Sequence, residues 1–159
     1  MPRRQFIIIL ALSVTIFPIA LMAGRISTEQ VTDLVEQTAK DIAEDASGTL
    51  AKINAGAHPY RDKDNPALYT FVFNTDLVTV AHFRHELVGL SKRGKPDLKG
   101  KMFRDEILAG ALDNGSGWED YYFENPESGK TEPKTTYFRL VTGSDGVKYI
   151  VCSGKYIDR

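Results

Sequence analysis

The last third of this 159-residue chain constrains its fold more than any other part. Three runs rich in β-branched and aromatic residues, 117–124, 134–142 and 148–156, follow one another with turn sequences between them. Asn125-Pro126-Glu127-Ser128-Gly129 opens the first gap. Gly143-Ser144-Asp145-Gly146 fills the second and closely fits a tight hairpin ending in Asp-Gly. A further pair of runs, 69–74 and 77–82, meets at Asn74-Thr75-Asp76 and reads as another hairpin. Consecutive antiparallel strands with the helices segregated from them make an α+β domain, not a doubly wound α/β one.

The helical signals stand apart from these strands. Val31, Leu34, Val35, Thr38, Ala39, Ile42, Ala46, Leu50 and Ile53 recur at spacings of three and four and form one apolar stripe. Ser27 with Gln30 matches a capping box in front, while Asn54, Gly56 and Pro59 end the pattern behind. The spacing predicts one long helix over about 27–54, roughly 40 Å at 1.5 Å per residue. That is more than a small core needs, so the helix either lies across a sheet or pairs with a partner helix. Phe103, Ile107, Leu108, Ala111 and Leu112 predict a second, short helix that stops at Asn114-Gly115. Between the hairpin and this helix, residues 84–100 are polar and carry Gly89, Gly94, Pro96 and Gly100, which predicts a loop with at most short helical turns.

The chain opens with Met1-Pro2-Arg3-Arg4-Gln5, and the run 6–23 holds no charge. A basic start followed by an apolar core is the pattern of an export signal. Pro18 interrupts the run and Ala20, Ala23 and Gly24 supply small residues, which favours cleavage after Ala23; an uncleaved anchor is the alternative, since the run nearly reaches spanning length. Arg3-Arg4 also partly matches the twin-arginine export signal, with Pro2 where Ser or Thr usually stands. The expected layout is therefore a signal peptide at 1–23 and one domain at 24–159, in the periplasm or secreted. No cysteine lies near the signal, which argues against a lipoprotein.

Composition excludes several functions. Of 20 basic and 21 acidic residues, the basic ones are scattered rather than striped, so the footprint of a nucleic-acid binder is missing. The single Cys152 closes no intramolecular disulfide and, within an apolar alternating run, reads as a buried structural thiol. His82 and His85 stand three apart with no third ligand at a sensible spacing, so no metal site is expected. Ser116 and Ser153 lack a nucleophile elbow, and Pro96 spoils the glycine-bearing stretch 94–100 as a phosphate cradle. Neither a cofactor nor an enzyme is expected. What remains is a set of polar groups inside apolar strands: His82 after Val80-Ala81, Lys134 at the start of a strand that reaches Tyr137, and Trp118 after a Gly-Ser-Gly bend. A lysine with tyrosine hydroxyls in an apolar pocket suits a small carboxylate. The plainer reading has Lys134 snorkelling at a strand end and His82 capping a turn.

Seven short motifs then occur in order. They are Tyr69-Thr70-Phe71-Val72-Phe73-Asn74, Val80-Ala81-His82, Glu86-Leu87-Val88-Gly89, Gly117-Trp118-Glu119-Asp120-Tyr121, Asn125-Pro126, Pro133-Lys134-Thr135-Thr136-Tyr137 and Gly154-Lys155-Tyr156-Ile157-Asp158. Behind a long N-terminal helix, this succession resembles the single-Cache sensory domains. The resemblance implies a PAS-like five-stranded antiparallel sheet flanked by that helix, and recognition outside the cytoplasm of a small molecule, often an organic acid. It places His82, Trp118, Tyr121, Lys134 and Tyr137 around the ligand, with Phe71 and Phe103 as apolar walls. Phe83 departs from the family, which often has Pro after the histidine. Family members usually continue into a membrane span and a signalling module, whereas this sequence stops at Arg159. The expectation is a stand-alone binding domain working with a membrane receptor or histidine kinase. An interaction module that forms a homodimer through the N-terminal helix, without a working pocket, is the alternative.

Overall fold

The computed structural model describes residues 25–157. The expected signal peptide therefore lies outside the described residues. The elements are α1 (Thr28–Glu44), α2 (Ala46–Asn54), β1 (Thr70–Asn74), β2 (Thr79–Ala81), α3 (Phe103–Asn114), β3 (Ser116–Glu124), β4 (Thr131–Thr142) and β5 (Lys148–Tyr156), with a short 3-10 turn at His85–Leu87. The strands form one antiparallel sheet in the order β2-β1-β5-β4-β3. This is the α+β, PAS-like arrangement expected from the sequence.

The single helix over 27–54 requires a correction: it is two helices, broken at Asp45. The Ser27–Gln30 capping box is present in front. At Asp45 the backbone leaves helical geometry, with φ −146° and ψ 84°, and the Asp45 carboxylate accepts the Gly48 N–H to cap α2. The break lets the β4–β5 turn dock against the helices. Ser144 Oγ accepts the Ala46 N–H at 2.9 Å, and the Ser144 N–H donates to the Ile42 carbonyl at 3.1 Å. Helix-terminal groups left free by the interruption are thus satisfied by the sheet.

Alternation along β5 splits the core between two faces. Tyr149 and Val151 point to the α1–α2 side, where they pack with Val35, Ala39, Ile42 and Ile53; Ile150 and Cys152 point to the other side with Phe103, Ile107, Tyr121 and Phe138. Each fully buried Ile or Val contributes on the order of 1.5–3 kcal/mol. The second face is closed by α3, which lies against β3, and by the long loop before it. Close approach is built in here. A Cβ on Gly110 or Gly117 would meet the Phe138 ring at 2.8 and 2.7 Å.

Gly154 lets β5 lie tightly against the start of β4. A Cβ there would lie 2.4 Å from the Thr135 carbonyl oxygen and 2.9 Å from Lys134 Cε. Because one obstacle is backbone, Gly154→Ala is expected to push β5 away from β4 and destabilise the domain by about 2 kcal/mol. Urea unfolding measures this directly.

Candidate functional site

The α3 face of the sheet gathers its polar groups around one buried amine. Lys134 is where β4 becomes paired on both sides, opposite Tyr121 on β3 and Tyr156 on β5. Its residue is 1 % exposed. Nζ donates to Tyr69 Oη at 2.8 Å and stands 4.2, 5.3, 5.7 and 5.1 Å from the ring centres of Tyr69, Phe71, Phe123 and Tyr156. Ring quadrupoles and one phenol oxygen are its neighbours. Among the described residues, no carboxylate lies within ion-pair distance of it. A buried lysine is ordinarily matched by an anion, because desolvating a lone charge costs several kcal/mol.

The aromatic wall in front of Lys134 is rigidly held. The Tyr121 ring stacks on Phe103 at 3.7 Å with 7° between planes, and its hydroxyl bonds Thr136 Oγ1 at 2.9 Å. Tyr156 Oη donates to the Glu124 carbonyl at 2.7 Å. Burial drives both phenols well above the ordinary tyrosine range, so both remain hydroxyls.

His82 follows directly on β2. Its backbone N–H donates to Asn54 Oδ1 at 2.9 Å, tying it to the end of α2. Nδ1 accepts the Arg84 N–H at 2.9 Å, which leaves Nε2 carrying the ring hydrogen. Burial, then the charges of Lys134 and Arg84, push its pKa down from 6.5 to about 3. The imidazole is therefore a neutral donor at physiological pH.

Between these groups lies a cavity of about 50 Å³, lined by aromatic rings, by His82 and by Lys92 and Arg104 from the loop and α3. Lys134 stands behind Tyr69 and Phe71, one hydrogen bond from this space. The Arg104 guanidinium covers the Phe103 ring at 4.0 Å, and burial lowers the pKa of both Arg104 and Lys92. Among the described residues, no acidic side chain lines the cavity. A groove of about 290 Å³ adjoins it, sharing Leu87, Phe103, Arg104 and Phe123, and leads outward beneath the loop. A wider cleft of about 420 Å³, lined by Arg25, Asn125, Glu127, Glu132 and Lys155 among others, shares no residue with this cavity.

A family model for the Cache domain matches residues 25–159. The chain belongs to the Cache domain family. Members are sensory ligand-binding domains, and solved structures agree with the fold of this one. The periplasmic sensor domain of a chemotaxis protein is similar at 25% identity and TM-score 0.62, over 82% of this chain and 90% of that one. A Cache chemosensory domain described for carboxylic acid recognition is similar at 19% identity and TM-score 0.64, over 82% and 92%. A methyl-accepting chemotaxis protein from Vibrio parahaemolyticus RIMD 2210633 follows at 16% identity and TM-score 0.58, over 82% of both chains. No curated protein matches the chain. Among the described residues of this Cache domain, no helix is long and apolar enough to cross a membrane.

Of the seven side chains singled out in the sequence, five come together: Phe71, His82, Phe103 and Tyr121 line the cavity, and Lys134 sits behind it. Trp118 and Tyr137 require a correction, since they lie on the opposite face. They pair across β3 and β4 with ring centres 5.3 Å apart, and Tyr137 Oη donates to Glu36 of α1 at 2.9 Å. The reason is parity. Trp118 is three residues from Tyr121, and Tyr137 three from Lys134, so each pair straddles the sheet. Tyr69, Lys92, Arg104, Phe123 and Tyr156 belong to the site and were not singled out. Tyr69 had a signal, because it lies two residues before Phe71 and so shares its face.

Proposed function

We propose that this Cache domain binds a small organic-acid anion outside the cytoplasm, on the α3 face of its sheet, and acts with a separate membrane-bound receptor or kinase. The observation that carries the reading is Lys134: an amine with 1 % exposure, held among four rings, with no carboxylate within ion-pair distance among the described residues. An anion arriving beside Tyr69 supplies the missing counter-charge, and His82 Nε2–H and the Tyr69 hydroxyl add directed donors. A cavity of about 50 Å³ favours a ligand of few non-hydrogen atoms, widening toward the outer groove where Arg104 stands. Carboxylic acid recognition by a Cache domain of the same fold supports the choice of ligand class.

The helix-paired interaction module finds less support. Val31, Val35, Thr38, Ala39 and Ile42, the apolar stripe of α1, are buried, while Glu29, Asp33, Lys40 and Glu44 face outward. Among the described residues of α1, no apolar seam is left for a twin. Thermal unfolding against a panel of short carboxylates, amines and sugars tests the proposal. A bound acid at one hundred times its Kd stabilises by about 2.7 kcal/mol, a rise of several degrees in Tm. The expected pattern is a rise with short carboxylates and none with amines. A flat response across the acids sinks the proposal.

A further inference from the structure

We propose that the loop at residues 91–102, with the start of α3, is a membrane-surface contact, a basic patch tipped by Leu98 that docks on bilayers rich in anionic phospholipid. This loop and the first turn of α3 hold Lys92, Arg93, Lys95, Lys99, Lys101 and Arg104 against Asp97, Asp105 and Glu106, in a chain whose acidic residues outnumber its basic ones, 21 to 20. The roles within it divide clearly. Lys92 and Arg104 turn toward the cavity. Lys101 pairs with Glu106 and Glu119. Asp97 is occupied in shaping the loop, its carboxylate accepting the N–H groups of Tyr122, Lys99 and Lys101 at 2.8, 2.8 and 2.9 Å. Arg93, Lys95 and Lys99 are left exposed, and among the described residues none has a carboxylate within ion-pair distance.

Leu98 rises from the middle of these charges with 78 % of its surface exposed, and Met102 beside it with 42 %. A protein partner is recognised by a contiguous apolar centre with a polar rim. Here single apolar side chains alternate with ammonium groups, an arrangement suited to shallow insertion between headgroups whose phosphates meet the lysines. The patch also lies at the right end of the molecule. Lys99 and Lys101 line a groove with Asp97, Asp120 and Ile157, and Ile157 lines the neighbouring cleft with Arg25 and Ile26. The loop thus shares one side with Arg25, Ile26 and Ile157, and an uncleaved run 6–23 ahead of Arg25 would hold that side near a bilayer.

Every side chain of the two core clusters lies between Val35 and Cys152, so residues 25–159 carry the complete core and serve as the test protein. The experiment is co-sedimentation with vesicles of phosphatidylcholine alone and of equal parts phosphatidylcholine and phosphatidylglycerol. Binding is expected only to the mixed vesicles, and it is expected to vanish near 1 M salt, where the Debye length is roughly 3 Å. The double variant Lys95→Gln, Lys99→Gln is expected to lower partitioning on the order of tenfold, and Leu98→Ser to lower it several-fold. All these positions are exposed, so unchanged melting temperatures confirm that the variants fold. No binding, equal binding to both vesicles, or binding that survives the double variant overturns the proposal. So does concentration-dependent self-association without vesicles that the double variant abolishes, which would identify the partner as a second copy of this chain.

Discussion

Replacing Lys134 by methionine is expected to abolish acid recognition while leaving the empty domain as stable as before, or more so. Methionine keeps the length and fills the same space among the rings of Tyr69, Phe71, Phe123 and Tyr156. It removes a charge that is buried without an anionic partner, and apolar replacement of buried ions is often neutral or stabilising by about 1–4 kcal/mol. Opposing this is the loss of four cation–ring contacts and of one hydrogen bond to Tyr69 Oη, together about as large. The binding side has no such compensation. An anion seated beside Tyr69 loses its one buried cation, an effect of roughly 3 kcal/mol or about 100-fold in Kd. Calorimetric titration of wild type and variant with the best acid from the panel reads the ratio, and melting of the empty proteins reads the rest. If the variant binds as tightly as wild type, or collapses in stability with its affinity intact, Lys134 is structural.

The same residue shows what the sequence could and could not convey. Strand positions, turns and the separation of helices from sheet are local matters, legible in the alternation of 69–74 and 148–156 and in Gly143-Ser144-Asp145-Gly146. The break at Asp45 is not, because Ile42, Ala46, Leu50 and Ile53 keep helical spacing across it. What decides the break is the Ser144 turn arriving from about a hundred residues away. Trp118 and Tyr137 are a different case. Their parity relative to Tyr121 and Lys134 was readable, but the motif resemblance grouped residues by proximity in sequence rather than by face. Lys92 and Arg104 carried no periodic signal at all, since a polar loop has no inside until the sheet beneath it is assembled. The buried amine without an acid partner was equally invisible, being a statement about everything that surrounds it.

His82 should make both stability and ligand affinity depend on pH, with opposite signs. Its pKa falls from 6.5 in the unfolded chain to about 3 in the folded one, first through burial and then through Lys134. The unfolded chain therefore binds the extra proton first as pH drops. Stability is full above pH 6.5 and is lost progressively between pH 6.5 and 3, by about 2 kcal/mol at pH 5. Glu86, Asp97 and Asp145, whose carboxyls are held below their unfolded values of 4.5, 3.8 and 3.8, shed their contributions only as pH falls through and below those values, and leave the interval from pH 7 to 5 to His82. Urea midpoints at pH 7 and 5 should show the loss in wild type and a much smaller one in His82→Asn, whose amide oxygen can still accept the Arg84 N–H. Lys134→Met should also flatten the slope, since it removes the second cause of the depressed pKa. A bound carboxylate acts the other way: its negative charge favours the imidazolium, so the His82 pKa rises on binding and protons are taken up. Affinity for the acid should then strengthen as pH falls from the raised, ligand-bound pKa of His82 toward about 3, until the ligand itself protonates. Affinity that weakens over that interval in wild type would place the anion away from His82, even if Lys134→Met abolishes binding.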